Sequence, residues 1–179
     1  MRSSSGSRRL VLALAVGCSL LAGCASQPKS RPGYYFNPQH GFSVEYPDGW
    51  QSQAPQHEEV FRAANPSQFK LPVVTASVTD LRPGATLDPG AFTEAMQRMI
   101  PGSRDFNVTS QEDVTLNDST PAKAFVFEWV WTDGNTKMVT AALIAIKNGK
   151  FFTATATNAL GASPPPARLL QVVKTWKFH

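Results

Sequence analysis

The run AFVFEWVW at residues 124–131 constrains the fold of this chain more than any other segment. Successive residues of a strand point to opposite faces. Phe125, Phe127, Trp129 and Trp131 therefore share one face, and Ala124, Val126 and Val130 share the other. Both faces are apolar, which predicts a central strand covered on both sides. The following apolar segment supplies Ala141 and Ala145 as small partners for the large rings. A sheet with helices packed on it follows: an α+β fold of antiparallel strands sandwiched by helices.

The remaining segments fit that layer. Short strands are expected at 34–36 and 42–46, separated by the breakers Asn37, Pro38 and Gly41. Phe42, Val44 and Tyr46 alternate onto one face, and Pro47, Asp48 and Gly49 turn the chain into Trp50. Further strands are read at 59–63 and 73–80, the latter with Val74, Ala76 and Val78 inward. Asp88 caps a helix that has Pro89 at its first position, and Pro101 and Gly102 end it. Phe92, Ala95, Met96, Met99 and Ile100 form its apolar stripe. Strands at 106–116, 124–131, 138–146 and 151–157 make a meander, with Asn148 and Gly149 as a hairpin turn. Ser163 and three prolines lead into a helix at 167–176 that buries Leu169, Leu170, Val173 and Trp176.

The N-terminus has a different character. Arg2, Arg8 and Arg9 precede a mostly apolar stretch at 10–21. That stretch lies within the ~7–15 residues of a signal-peptide core and falls short of the ~20 that span a bilayer. Leu21, Ala22, Gly23 and Cys24 then resemble the lipobox of bacterial lipoproteins. The resemblance implies a diacylglyceryl group on the Cys24 thiol, cleavage after Gly23 and acylation of the freed amine. The expected division is a signal peptide at 1–23, a lipidated N-terminus and short linker at 24–33, and one domain at 34–179. Ala25 resembles the default for outer-membrane sorting, which implies a domain facing the periplasm of a Gram-negative cell envelope. Nine linker residues reach at most about 30 Å, so the domain is expected to work close to its membrane.

The overall charge misleads until the leader is removed. The formal net charge of +4 falls to +1 once Arg2, Arg8 and Arg9 leave. The remaining cations are scattered, so no nucleic-acid partner is expected. Cys18 leaves with the leader and Cys24 carries lipid, so the domain has no thiol pair to oxidise. With 42% hydrophobic and 17% charged residues, the chain has the composition of a globular domain with its own core.

One stretch points to a family. Tyr35, Phe36 and Asn37, followed by GFSVEYPDGW at 41–50, resemble the opening of PsbP-like domains and related bacterial lipoproteins. The later order of strands, helix, meander and C-terminal helix is similar. The resemblance implies a curved antiparallel sheet between helices in α/β/α layers. It also implies a binding or assembly module rather than an enzyme. Members include a subunit of the photosynthetic oxygen-evolving complex, a Ran-binding protein and envelope lipoproteins, so the fold alone leaves the partner open.

Side chains that carry chemistry are sparse. His40, His57 and His179 make no metal-ligand spacing, and neither a nucleophile elbow nor a phosphate loop occurs. Glu112 and Asp113 are adjacent in a strand and should face opposite ways. No metal, cofactor or catalytic set is expected. The candidate binding residues are Glu128, a carboxylate amid apolar neighbours, and Trp129 and Trp131. Trp131, beside the turn at Asp133, is the ring expected to reach the surface and anchor a partner. Two functions fit. One is a membrane-anchored, non-catalytic module for an envelope protein. The other is a carrier or sensor of an apolar ligand held between sheet and helix.

Overall fold

The computed structural model describes residues 29–67 and 71–179. The expected leader, Cys24 and the first part of the linker lie outside the described residues. The chain forms β1 (Tyr34–Asn37), β2 (Phe42–Glu45), β3 (Gln51–Ser52), β4 (Glu59–Ala64) and β5 (Val73–Asp80), then helix α1 (Pro89–Met99). The meander follows as β6 (Arg104–Thr115), β7 (Pro121–Val130), β8 (Lys137–Lys147) and β9 (Lys150–Ala159). Helix α2 (Pro166–Val173) and β10 (Lys177–Phe178) complete it. A seven-stranded sheet has the order β3-β4-β5-β9-β8-β7-β6, and a three-stranded sheet the order β1-β2-β10. Every neighbouring pair is antiparallel.

Alternation along β7 and β8 divides the core between the two faces of the large sheet. Ala124, Val126, Val139, Ala141 and Leu143 pack with Leu169 and Val173 of α2 and with Phe42 and Val44 of the small sheet. Phe125, Phe127, Trp129, Met138, Ala142 and Ile144 pack with Phe92 of α1, where Met96 and Ile100 are partly buried. Helices thus cover both faces, giving the α+β layers read from the sequence. Local chemistry sets the boundaries. The Asp88 carboxylate accepts from the backbone N–H groups of Gly90 (3.0 Å) and Ala91 (3.3 Å), satisfying two orphan donors of α1. Asn148 and Gly149, with φ of 49° and 70°, form the two-residue turn that suits the twist of the β8–β9 hairpin.

Several expectations need correction. The strand AFVFEWVW is covered on both faces but is second from an edge, because β6 lies outside it. The residues opposite its rings are Ala142, Thr140 and Met138. Ala141 and Ala145 instead face Val126 and Ala122 on the other side. Met99 leaves the stripe of α1 and is 57% exposed. The last helix stops at Val173, and Trp176 lies beyond it, leading into β10. Leu170 is only half-buried, while Val172 takes a place in the core.

The β6–β7 turn fixes the C-terminal strand. The Asn117 amide donates to the Phe178 carbonyl (2.7 Å) and accepts from the Phe178 N–H (2.9 Å). Asp118 accepts from the Thr120 N–H (3.1 Å) and hydroxyl (2.9 Å) and from the Lys147 ammonium. Burial pushes the Asp118 carboxyl upward, but the Lys147 and Thr120 donors outweigh it and hold it at about 2. A carboxyl depressed in the folded state stabilises the fold above its unfolded value of 3.8. That contribution disappears as pH falls through the folded value. Asp118→Asn should therefore flatten the loss of stability between pH 4 and pH 2, read by urea unfolding across that range. An acid limb identical to that of the unsubstituted chain would remove Asp118 from its causes.

Candidate functional site

The three candidate binding residues do not form one site. Trp129 is buried at 2% exposure. Its indole N–H donates to the Thr140 hydroxyl (3.1 Å), which shares a hydrogen bond with Thr157 (2.9 Å). That ladder lets a polar ring atom enter the core without an unpaired donor. Trp131 lies 5.3 Å from Trp129, centroid to centroid, and is 39% exposed. Glu128 falls on the opposite face by alternation, paired in register with Asn107 and Val139. It is half-buried, and among the described residues no cation lies within ion-pair distance of it.

The aromatic row is filled by its own neighbours. Phe92 of α1 stands edge-on to Phe125 (5.3 Å) and Phe127 (6.1 Å). Phe106 of β6 stacks on Trp129 at 5.5 Å and 5°. These are the preferred aromatic geometries, and the rings that would line a ligand pocket touch one another instead.

Other polar groups resolve into structural contacts. Glu112 binds Lys174 (3.0 Å) and Asp113 binds Lys123 (3.1 Å), as their opposite facing predicts. Glu59, beside His57, binds Arg62 at 2.7 Å. His179 Nε2 lies 2.8 Å from the Ser43 hydroxyl, a pairing the sequence spacing did not suggest. Ser43 is 1% exposed within the small sheet, so a substrate carbonyl has no approach to it. Among the described residues no cluster of three His, Cys, Asp or Glu side chains is placed to hold a metal, and no helix is long and apolar enough to cross a membrane.

An open groove of about 320 Å³ lies between the turn after β2 and helix α2. Glu45, Tyr46 and Asp48 line one side, and Arg168, Gln171 and Thr175 the other. The two walls are tied at one end. The Glu45 N–H lies 2.9 Å from the Thr175 hydroxyl oxygen, and that hydroxyl lies 3.2 Å from the Glu45 carbonyl. Arg168 donates to the Gln171 side chain at 3.0 Å. Gly33, at the end of the linker, also lines the groove, and its φ of 76° suits glycine. Sequence reasoning missed this site because its walls are more than a hundred residues apart. The turn Pro47–Asp48–Gly49 was the available signal.

Two antiparallel sheets, the larger with a helix on each face, define an α+β layered architecture rather than a doubly wound or barrel fold. It is a PsbP-like fold. The structure is similar to that of the cyanobacterial PsbP (CyanoP) of Synechocystis sp. PCC 6803, with a TM-score of 0.62 and 13% identity, over 89% of this chain and 99% of that one. It is also similar to a solved protein of Bacteroides thetaiotaomicron VPI-5482, with a TM-score of 0.51 and 16% identity. That match covers 84% of this chain and 49% of the other, so the chain spans about half that protein's length. No family model matches the sequence. No curated protein matches it either.

Proposed function

We propose that this chain is a lipid-anchored protein of the cell envelope whose PsbP-like domain is a non-catalytic module for binding a protein partner. The anchor reading rests on the positive leader, its short apolar core and the lipobox ending at Cys24. An outer-membrane site facing the periplasm follows from Ala25 in a Gram-negative host.

The observation that carries the binding reading is the position of the free surface. The sheet–helix interface that would hold an apolar ligand is occupied by Phe92, Phe106, Phe125, Phe127 and Trp129. The open groove beside α2 has carboxylates on one wall and a guanidinium on the other. Such a groove suits an extended polar segment of another protein, recognised by charge-assisted hydrogen bonds.

A photo-crosslinking side chain at Gln171, in intact cells of the native host, tests this. The expected result is one discrete protein adduct. Arg168→Glu should reduce its yield by about tenfold or more, because losing a charge-assisted contact costs about 1.5–3 kcal/mol. No adduct, or one unchanged by Arg168→Glu, would remove the groove as the binding site. A small apolar molecule co-purifying with the chain, seen by native mass spectrometry, would favour the carrier instead.

A further inference from the structure

We infer that the corner formed by Trp131 and Met99 rests in the interfacial layer of the bilayer that holds the anchor; this deepens the lipoprotein reading and rests on it. Among the described residues these are the large hydrophobic side chains left exposed, at 39% and 57%. They belong to one corner. Ile100, next to Met99, packs in the cluster that contains Trp129. A side chain at Gly102 would meet Thr132, the neighbour of Trp131, at 3.7 Å.

The linker joins the domain at the same end of the large sheet but across its width, since β3 is one edge strand and β7 is next to the other. A side chain at Gly33 would meet Asp48 at 3.0 Å, and the turn containing Asp48 runs directly into β3. There Gln51 pairs with Ala64, Ala64 with Val73, and Val73 with Thr157. Thr157 pairs with Thr140 and Thr140 with Phe127. Phe127 precedes Trp129 and Trp131 on the strand that ends at this corner. The opposite end of the sheet carries the ion pairs of Lys147 with Asp118 and Lys150 with Asp80.

Tether length supplies the occupant. From Cys24 to Gly33 the chain reaches at most about 30 Å, and a domain of this size has a radius of gyration of about 15 Å. The end that bears the linker therefore stays within about 30 Å of the bilayer, and at the effective concentration this sets a weak contact suffices to hold it there. An indole with an apolar body and a polar N–H prefers the headgroup level, and methionine adapts to an irregular apolar surface. Charges around the corner have both signs. Arg98 lies 4.0 Å from Glu94, and Arg104 lies 3.6 Å from Asp105. The contact is thus apolar in origin, and it should persist on zwitterionic lipid and in high salt, unlike a polybasic one.

The test uses the lipid-modified chain from its native host, with the modification verified by intact mass, in phosphatidylcholine vesicles whose acyl chains carry bromine. Bromine should quench part of the tryptophan emission in both low and high salt. Trp50 is half-buried beside the linker turn, so the comparison is made in a Trp50→Phe background, where Trp131→Phe should abolish the quenched part, since Trp129 and Trp176 are buried. A verified lipoprotein whose quenching is absent, or survives Trp131→Phe, would overturn the inference and leave the anchor reading standing. A photo-crosslinker at position 131 that captures a protein rather than lipid in cells would overturn it in favour of a protein interface. An unmodified Cys24 thiol in the intact mass would overturn both.

Discussion

Cys24→Ser is expected to abolish incorporation of a labelled fatty acid and to leave the full-length precursor uncut. Serine nearly matches cysteine in size but offers a hydroxyl, which does not form the thioether that the lipobox resemblance requires. The lipobox resemblance implies that cleavage after Gly23 depends on that modification, so the substituted chain should keep residues 1–23 and the mass that goes with them. Each buried CH₂ contributes about 0.8 kcal/mol, and a single fatty chain binds a membrane only marginally, so firm attachment needs two or more. Losing all of them should remove the chain from the outer-membrane fraction, a change of orders of magnitude in partition. The apolar core at 10–21 is shorter than the ~20 residues of a spanning helix and does not replace the anchor. Metabolic labelling and intact mass read both effects. A Cys24→Ser chain still cut after Gly23 would show an ordinary secretory leader, and one still labelled would put the fatty acid elsewhere; either ends the proposal of a lipid anchor at Cys24.

The parts of the fold that were legible in the sequence are those whose signal is local. The cap at Asp88 with Pro89 behind it sets the start of α1 through hydrogen bonds within three residues. Asn148 and Gly149 set the β8–β9 hairpin because both positions need φ above zero. The two-sided apolarity of β7 announced a layer on each face, and both layers are present. What stayed hidden depends on distant partners. Strand β10 has two residues, too few for a period, and exists because Lys177 and Phe178 pair with Ser43 and Phe42. Its partner β2, together with β1 on the other side of β2, belongs to a separate small sheet rather than to the large one. The expected meander put β6 beside β7, but that β6 is the sheet edge was equally hidden, since its polar, bulged sequence does not say whether another strand lies beyond it. Helix α1 packs near this edge, and Met99, its last residue, turns outward while Ile100 after it still packs against the rings. The candidate site was legible in part. The exposure of Trp131 follows from its place at the end of a strand beside a turn. The burial of Trp129 follows from Thr140 and Phe106, which only the register brings to it.

The second large effect is expected at Phe42, the aromatic residue of the opening motif. Its ring is fully buried and stacks on Trp176 at 4.1 Å and 13°, with Phe152 edge-on at 6.2 Å and Tyr35 at 6.0 Å. These contacts join the small sheet, the segment after α2 and the large sheet, so the ring sits where three parts of the core meet. Phe42→Ala leaves a cavity that neighbours in three elements do not close together. The expected cost is about 3–5 kcal/mol, out of a total stability of about 5–15 kcal/mol for a domain. A urea midpoint lower by about 2 M would report it. Trp176→Phe is the informative contrast. The indole N–H of Trp176 is buried and, among the described residues, has no hydrogen-bond partner. An unpartnered buried donor carries a desolvation penalty of about 1–3 kcal/mol. Removing that donor offsets part of the packing lost with the smaller ring, so Trp176→Phe should change stability by about 1 kcal/mol or less. Equal losses at the two positions would mean that the indole nitrogen is satisfied, and that packing alone sets the energy of this corner of the core.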